Sequence, residues 1–342
     1  MSASLPPLPA HLMVSDINPH LPEARRRMYS WAESFDLLPG MLRQRYENSQ
    51  MELLAAYYYP NCDLETFSLL VRWMLLGAIH DDLMDDVLCR NDPVSARQCI
   101  SAVKVFMCEG KGNSSPLMQA LENLWHETRI PQRSTMWQHT LARHWEVSGW
   151  EALACVADDL SGRTPPLQEY LERRRVGVTE LVYVDLLEVA ERVDLQEHVR
   201  NLPSVQSLGN LCSDYVGLCN DLLSLEKDLR VGGVHNAVTT IRTRDRCTLD
   251  EAVERVKSLA INVVDAYVEA ESWVPAQLQS VGCTGRQYED VMRYAHAFRA
   301  VFHGNREWHM TVARFADQET KVKSANDSSY GDDLRRVIIA SS

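Results

Sequence analysis

Apolar residues recur along this chain at three- and four-residue intervals, run after run, and nowhere settle into the strict alternation of a strand. The pattern predicts helices over 22–35, where Met28, Trp31 and Phe35 share a face, and over 41–59, which Pro60 stops. Asp63 is placed to cap a helix over 64–86, and Asn91-Asp92-Pro93 separates it from one over 94–109. Further helices are predicted over 116–128, 132–160, 166–193, 203–229, 248–272, 283–302 and 305–315. Residues 1–20 carry Pro6, Pro7, Pro9 and Pro19 and read as an irregular lead-in, and the polar stretch 316–342 reads as a partly disordered tail. The fold class expected is all-α, one helical bundle over 21–315 with no internal repeat, G-x-G-x-x-G turn or Walker loop.

Two polar clusters break this pattern from inside. The 64–86 helix is almost uninterruptedly apolar from Phe67 to Ile79 and then runs into His80-Asp81-Asp82-Leu83-Met84-Asp85-Asp86. Regular α-helical spacing puts Asp81, Asp82 and Asp85 on one face. Two charges about 5 Å apart repel by roughly 3 kcal/mol at an effective dielectric near 20, so the cluster needs a cation. Its oxygens suit a hard ion such as Mg²⁺, which keeps waters to exchange for phosphate oxygens. The plain alternative is an acidic helix end that faces water. The second cluster lies in the 203–229 helix, where Asn220, Ser224 and Asp228 follow at i, i+4 and i+8 after an apolar run from Leu208 to Cys219. An amide, a hydroxyl and a carboxylate make a weakly charged site for one divalent ion, with Lys227 and Arg230 beside it for an anion.

Composition narrows the partners. With 342 residues and 45% hydrophobic content the chain can bury a substantial core, and a formal net charge of −12 argues against nucleic acid or an anionic membrane as the main partner. Nine cysteines without a C-x-x-C pair read as reduced thiols of a cytoplasmic protein. The N-terminus has no signal-peptide pattern, and no apolar run is long enough to span a membrane. Local cations must then meet any anionic substrate. In Glu172-Arg173-Arg174-Arg175 the arginines cannot share a face, so at most two turn inward, where an arginine suits bidentate contact with phosphate. The stretch from Gly304-Asn305-Arg306-Glu307-Trp308-His309 to Arg314-Phe315 adds further arginines and a tryptophan.

Together these elements resemble a class I terpene synthase of the microbial, single-domain, sesquiterpene-cyclising type over residues 20–315. Asp81-Asp82-Leu83-Met84-Asp85 is similar to the aspartate-rich DDxxD motif, and Asn220 to Asp228 is similar to the (N,D)Dxx(S,T)xxx(E,D) triad. The resemblance implies a bundle around a central active-site cavity and three Mg²⁺ ions, with Mn²⁺ as a substitute, gripping a prenyl diphosphate. It makes Asp81, Asp82, Asp85, Asn220, Ser224 and Asp228 the metal ligands. Within the acidic cluster Asp81 ranks first and Asp85 shares its face, while Asp82 reads as a salt-bridge partner and Asp86 as facing solvent. Counting 46 residues back from Asn220 gives Arg174 as the family's diphosphate-sensing arginine, whereas alignment on Tyr170-Leu171 favours Arg175. Arg314 fits the arginine of the C-terminal NxxW…RY signature. Arg174, Lys227 and Arg314 are thus expected to assist departure of the diphosphate, with Arg175 and Arg230 close by, and Tyr57, Trp73 and Trp308 to face the carbocation. The chain departs from the family at Phe315, His309, the small pair Gly77-Ala78 and Gly232-Gly233-Val234-His235-Asn236, which lacks the aspartate of a GDxHN stretch. None of these is a proposed metal ligand.

Farnesyl diphosphate is the expected substrate and geranylgeranyl diphosphate the alternative, with product skeleton and oligomeric state, a homodimer included, left open. Three other readings compete. A helical metal phosphohydrolase would use His80-Asp81, but its upstream histidine would have to be His11 or His20 in the irregular lead-in. A chain-elongating prenyltransferase would carry a second DDxxD where Asn220 to Asp228 stands. A non-catalytic helical scaffold would bind neither Mg²⁺ nor diphosphate.

Overall fold

The computed structural model describes residues 5–13, 16–129, 133–231, 235–312 and 328–339, and every regular element among them is helical. None of these helices is long and apolar enough to cross a membrane. The chain forms two compact units, one of Met1–Ser15 with Ala154–Glu307, the other of Asp16–Leu153 with Trp308–Ser342.

The second of these is organised on the helix Leu64–Asp82, which packs against Leu21–Ser34, Met51–Tyr58 and Pro116–Thr128. Asp63 caps it by accepting from Thr66 N at 2.9 Å, as its position predicts. Because neighbours cover it on several sides, this helix is apolar nearly all round rather than striped: Phe67, Leu70, Trp73, Met74 and Ile79 are all fully buried. Past Asp82 the winding widens into a π-helix over Leu83–Leu88. The helix expected over 41–59 is two helices, Leu42–Ser49 and Met51–Tyr58, because Gln50 between them adopts φ +48.

Residues 313–327 lie outside the described residues, but Ser328–Arg336 form a helix. Tyr330, Leu334 and Val337, at three- and four-residue spacing, are buried. Asp333 accepts from Met41 N at 2.9 Å, and Val337 O accepts from Leu117 N at 2.8 Å, so this helix is docked at both ends.

The other unit is organised on Pro203–Val231, which packs along Leu249–Ser280 and against Leu167–Gly177 and Glu180–Asp185. Thr248 and Glu251 form a reciprocal capping box at the start of the Leu249–Ser280 helix. The helix expected over 166–193 breaks at Thr179, whose φ of +64 ends one helix and starts the next. Those expected over 283–302 and 305–315 are one, Gly285–Thr311. A helix missed from sequence, Ala237–Asp245, starts at Asn236, whose side chain caps Val238 N at 2.9 Å.

Gly40 shows how tightly the C-terminal helix is seated. Its φ is +56, and a Cβ there would fall 2.1 Å from Asp333 Oδ2. Gly40→Ala is expected to cost about 2 kcal/mol or more, read as a lower urea midpoint; an unchanged midpoint would contradict this docking.

Candidate active site

In the unit built on Leu64–Asp82, the carboxylates at the end of that helix divide into two pairs. Asp82 is buried with both oxygens engaged: Arg45 donates from Nε to Oδ2 at 2.8 Å and from NH2 to Oδ1 at 2.6 Å, and the Tyr46 hydroxyl donates to Oδ2 at 2.9 Å. Asp86, one turn on, accepts from the same Arg45 NH2 at 3.3 Å and from the Tyr330 hydroxyl at 3.2 Å. Burial first, and then the Asp82 charge, push both phenols far above the usual range, so each stays protonated and donates.

The salt bridge that the sequence suggested for Asp82 is present. Asp82 and Asp86, four residues apart, converge on Arg45, as i,i+4 neighbours can on any helix face. Asp86 is held by Arg45 and Tyr330 rather than turned to solvent. Asp81 is half-buried and Asp85 exposed. Neither Arg45 nor Tyr46 was singled out in the sequence, since nothing local relates them to an aspartate 36 or 37 residues away.

His80, which a phosphohydrolase would need as a ligand, is 3% exposed and stands 5.2 Å from Trp145, ring to ring. Burial alone depresses it to about 4, a neutral imidazole packed on an indole. Trp73 is fully buried with its indole N–H on Thr128 Oγ1 at 2.8 Å, and Trp308 donates to the carbonyls of Ser49 and Gln50 at 3.0 and 3.1 Å. Both indoles tie helices together. Tyr57 is half-buried. Arg314 and Phe315 lie outside the described residues.

The other unit carries the second cluster on Pro203–Val231. Asn220, Ser224 and Asp228 are all half-buried, and the Ser224 hydroxyl donates to Asp228 Oδ2 at 2.7 Å. Asn236 closes the stripe from the start of Ala237–Asp245, its Nδ2 donating to Asp228 Oδ2 and to the carbonyl of Asp221, each at 2.8 Å. Between the stripe and the core sits Asp221, 1% exposed, which accepts from Arg174 Nε at 3.0 Å, from Ala237 N at 3.0 Å and from the Tyr170 hydroxyl.

Of the two candidate arginines, Arg174 is the one at this stripe: its NH2 donates to Asn220 Oδ1 at 2.9 Å, whereas Arg175 is bound bidentately by Asp214 at 2.8 and 2.7 Å. Gly217 leaves room for the Arg174 stem, since a Cβ there would lie 3.1 Å from Arg174 Cγ. Lys227 and Arg230 are exposed on the last turns of the helix. His235 packs at a tilt against Tyr170, ring centres 5.1 Å apart, and faces Cys155 Sγ at 3.2 Å; burial, then Arg174 and Arg173, depress it to about 4. Asp221 is the functional residue most open to discovery from sequence, as the neighbour of Asn220 inside a buried helix.

The geometry defines an all-helical protein with two oxygen-rich clusters, one of them beside a half-buried arginine. Residues 72–266 match the family described as terpene synthase family 2, C-terminal metal binding. The chain belongs to the terpene synthase family and is a lyase dependent on a divalent metal. It is 29% identical over 319 residues to a (2Z,6E)-hedycaryol synthase of Kitasatospora setae, covering 91% of this chain and 92% of that protein. To a (+)-T-muurolol synthase ((2E,6E)-farnesyl diphosphate cyclizing) of Roseiflexus castenholzii it is 26% identical, covering 88% and 90%. A solved structure of hedycaryol synthase in complex with nerolidol superposes with a TM-score of 0.76 at 26% identity, over 89% of this chain and 97% of that one. The fold is that of class I terpene synthases.

The two arginines should separate cleanly in stability. Arg174→Ala leaves Asp221 buried without its cation and is expected to cost about 3 kcal/mol in urea unfolding. Arg175→Ala, at the more exposed pair with Asp214, is expected to cost about 1 kcal/mol or less. Equal losses would show that Asp221 does not depend on Arg174.

Proposed function

We propose that this enzyme ionises farnesyl diphosphate and cyclises the carbocation so formed, using Mg²⁺. The observation that carries the reading is Arg174 NH2 at 2.9 Å from Asn220 Oδ1, which sets a half-buried guanidinium, a group suited to phosphate, at the head of an oxygen stripe. The relative whose name specifies (2E,6E)-farnesyl diphosphate supports the fifteen-carbon substrate.

The donor set fits the ion. Asn220 Oδ1, Ser224 Oγ and the Asp228 carboxylate are hard oxygens with no sulfur or imidazole among them, the chemistry Mg²⁺ prefers. The Ser224–Asp228 bond and the Asn236 bond already draw this stripe together, at 2.7 and 2.8 Å. In the other unit Asp81 and Asp85 are the proposed ligands, and Asp82, with both oxygens on Arg45 and Tyr46, is not. Three Mg²⁺ ions are the number the family resemblance implies. When bound, the ions neutralise the diphosphate and make it a better leaving group.

The chain's own part is to bind, orient and assist. Arg174 presents its outer guanidinium edge to a phosphate oxygen while Asp221 holds its inner edge. Lys227 and Arg230 add positive charge near the stripe, and Arg314 takes the corresponding part from the C-terminal signature. As the C–O bond breaks, its electron pair leaves with the diphosphate and the allylic cation remains. Ring closure consumes a double bond, and loss of a proton to the released diphosphate, or capture of water, ends the sequence. Tyr57 is the aromatic candidate to face that charge, a contact worth roughly 0.5 to 2 kcal/mol.

Incubation with geranyl, farnesyl or geranylgeranyl diphosphate plus Mg²⁺, followed by mass analysis of the volatile products, tests the reading. Cyclic fifteen-carbon products that disappear with EDTA are expected. Asp81→Ala and Asn220→Ala should each lower turnover by at least about a hundredfold, the loss expected when a metal-borne charge clamp goes, with circular dichroism unchanged. Full activity in either variant would remove that residue from the metal site. Release of diphosphate with only acyclic fifteen-carbon products would show ionisation without ring closure and overturn the cyclisation.

A further inference from the structure

The last described helix, Ser328–Arg336, does more than fill a surface. Tyr330, 2% exposed, reaches the aspartate-bearing segment and its clamp: its hydroxyl donates to Asp86 Oδ2 at 3.2 Å, and its ring lies 4.7 Å from the Arg45 guanidinium carbon. Arg45 in turn grips Asp82 at 2.6 and 2.8 Å and reaches Asp86 at 3.3 Å. Four side chains from three segments thus close a network around one guanidinium. Asp82 and Asp86 bracket the turn that carries Asp85, and Leu83–Leu88 is wound as a π-helix, a geometry that costs energy and persists where surrounding contacts impose it. The direction in which Asp86 is pulled therefore fixes the rotation of the residue before it.

Contacts made by the residues that follow it hold Tyr330 in place. Asp333 takes the Met41 N–H at 2.9 Å, Val337 O takes the Leu117 N–H at 2.8 Å, and Arg335 lies 3.7 Å from Asp92, just beyond the π segment. A helix meant only to cover apolar surface would need Leu334 and Val337 but no buried phenol aimed at a carboxylate.

We propose that Tyr330 is a positioning residue for the metal-binding aspartates, setting Asp81 and Asp85 for the cation through Asp86 and Arg45. This rests on the reading of Asp81 and Asp85 as ligands.

The experiment uses the full chain as wild type, Tyr330→Phe, Asp86→Asn and the double variant. Mg²⁺ is titrated in the presence of inorganic diphosphate with tryptophan fluorescence as the readout, alongside Tm and steady-state kinetics on farnesyl diphosphate. Tyr330→Phe keeps the ring over Arg45 and the helix packing, so its Tm should stay close to wild type. Its half-saturating Mg²⁺ is expected to rise about tenfold, the low end of losses seen when support of a metal ligand is removed. Asp86→Asn should act in the same direction, and the double variant should be no worse than the worse single one, because both break one path. An unchanged Mg²⁺ requirement in Tyr330→Phe, with or without a fall in Tm, would overturn the proposal and leave a structural contact only. A wild-type protein indifferent to Mg²⁺ would overturn the metal reading itself, and this proposal with it.

Discussion

An ionised carboxylate at the inner end of an apolar helix has lost water that something else must replace, at a cost of several kcal/mol if nothing does. Both units meet that constraint with the same device, an arginine fork and a tyrosine hydroxyl. Asp82 receives Arg45 and Tyr46, and Asp221 receives Arg174 and Tyr170. In each motif the anchored aspartate stands next to a proposed ligand, Asp82 beside Asp81 and Asp221 beside Asn220. Anchoring fixes how far the helix is rotated about its axis, and rotation fixes where the neighbour points. In the doubled polar residues Asp81-Asp82 and Asn220-Asp221, then, one member satisfies the core and the other is the proposed ligand.

Around these anchors the backbone makes the local departures that regular helices cannot. Leu83–Leu88 widens into a π-helix where Asp82 and Asp86 converge on one guanidinium. Gln50 and Thr179 take up positive φ at the helix breaks that follow Tyr46 and Arg174. Such conformations cost of order 1 to 3 kcal/mol each and survive only where surrounding contacts over-determine them.

How much of this could be read from the chain follows from the range of each interaction. The all-helical class, the Asp63 cap, the 116–128 helix and the Asn220–Ser224–Asp228 stripe all rest on spacings of eight residues or fewer, and sequence shows such spacings directly. Arg45 finds Asp82 across 37 residues and Tyr330 finds Asp86 across 244, and no periodicity links such pairs. The choice between Arg174 and Arg175 was open for a related reason, since both sit on one short helix and only the long-range partners Asn220 and Asp214 tell them apart. One signal was present and went unread. Tyr330, Leu334 and Val337 form an apolar stripe at helical spacing inside a tail whose composition is otherwise polar. Mean composition hid a short amphipathic element, because nine residues weigh little against the polar stretch around them.

Arginine, and not simply positive charge, is what position 174 requires. The guanidinium offers five N–H donors in a rigid plane. Nε is spent on Asp221 at 3.0 Å, and one NH2 hydrogen on Asn220 at 2.9 Å, which leaves donors on the outer edge for a phosphate oxygen. Asn220 Oδ1 likewise has a second lone pair beyond the one that Arg174 uses, so the arginine and a metal ion can share it. A lysine could neutralise Asp221 but, as a point charge on a flexible stem, could not hold the aspartate, steady the amide and face an anion in one plane. Gly217 lies against this stem, where a Cβ would stand 3.1 Å from Arg174 Cγ and make the arginine shift by a few tenths of an ångström.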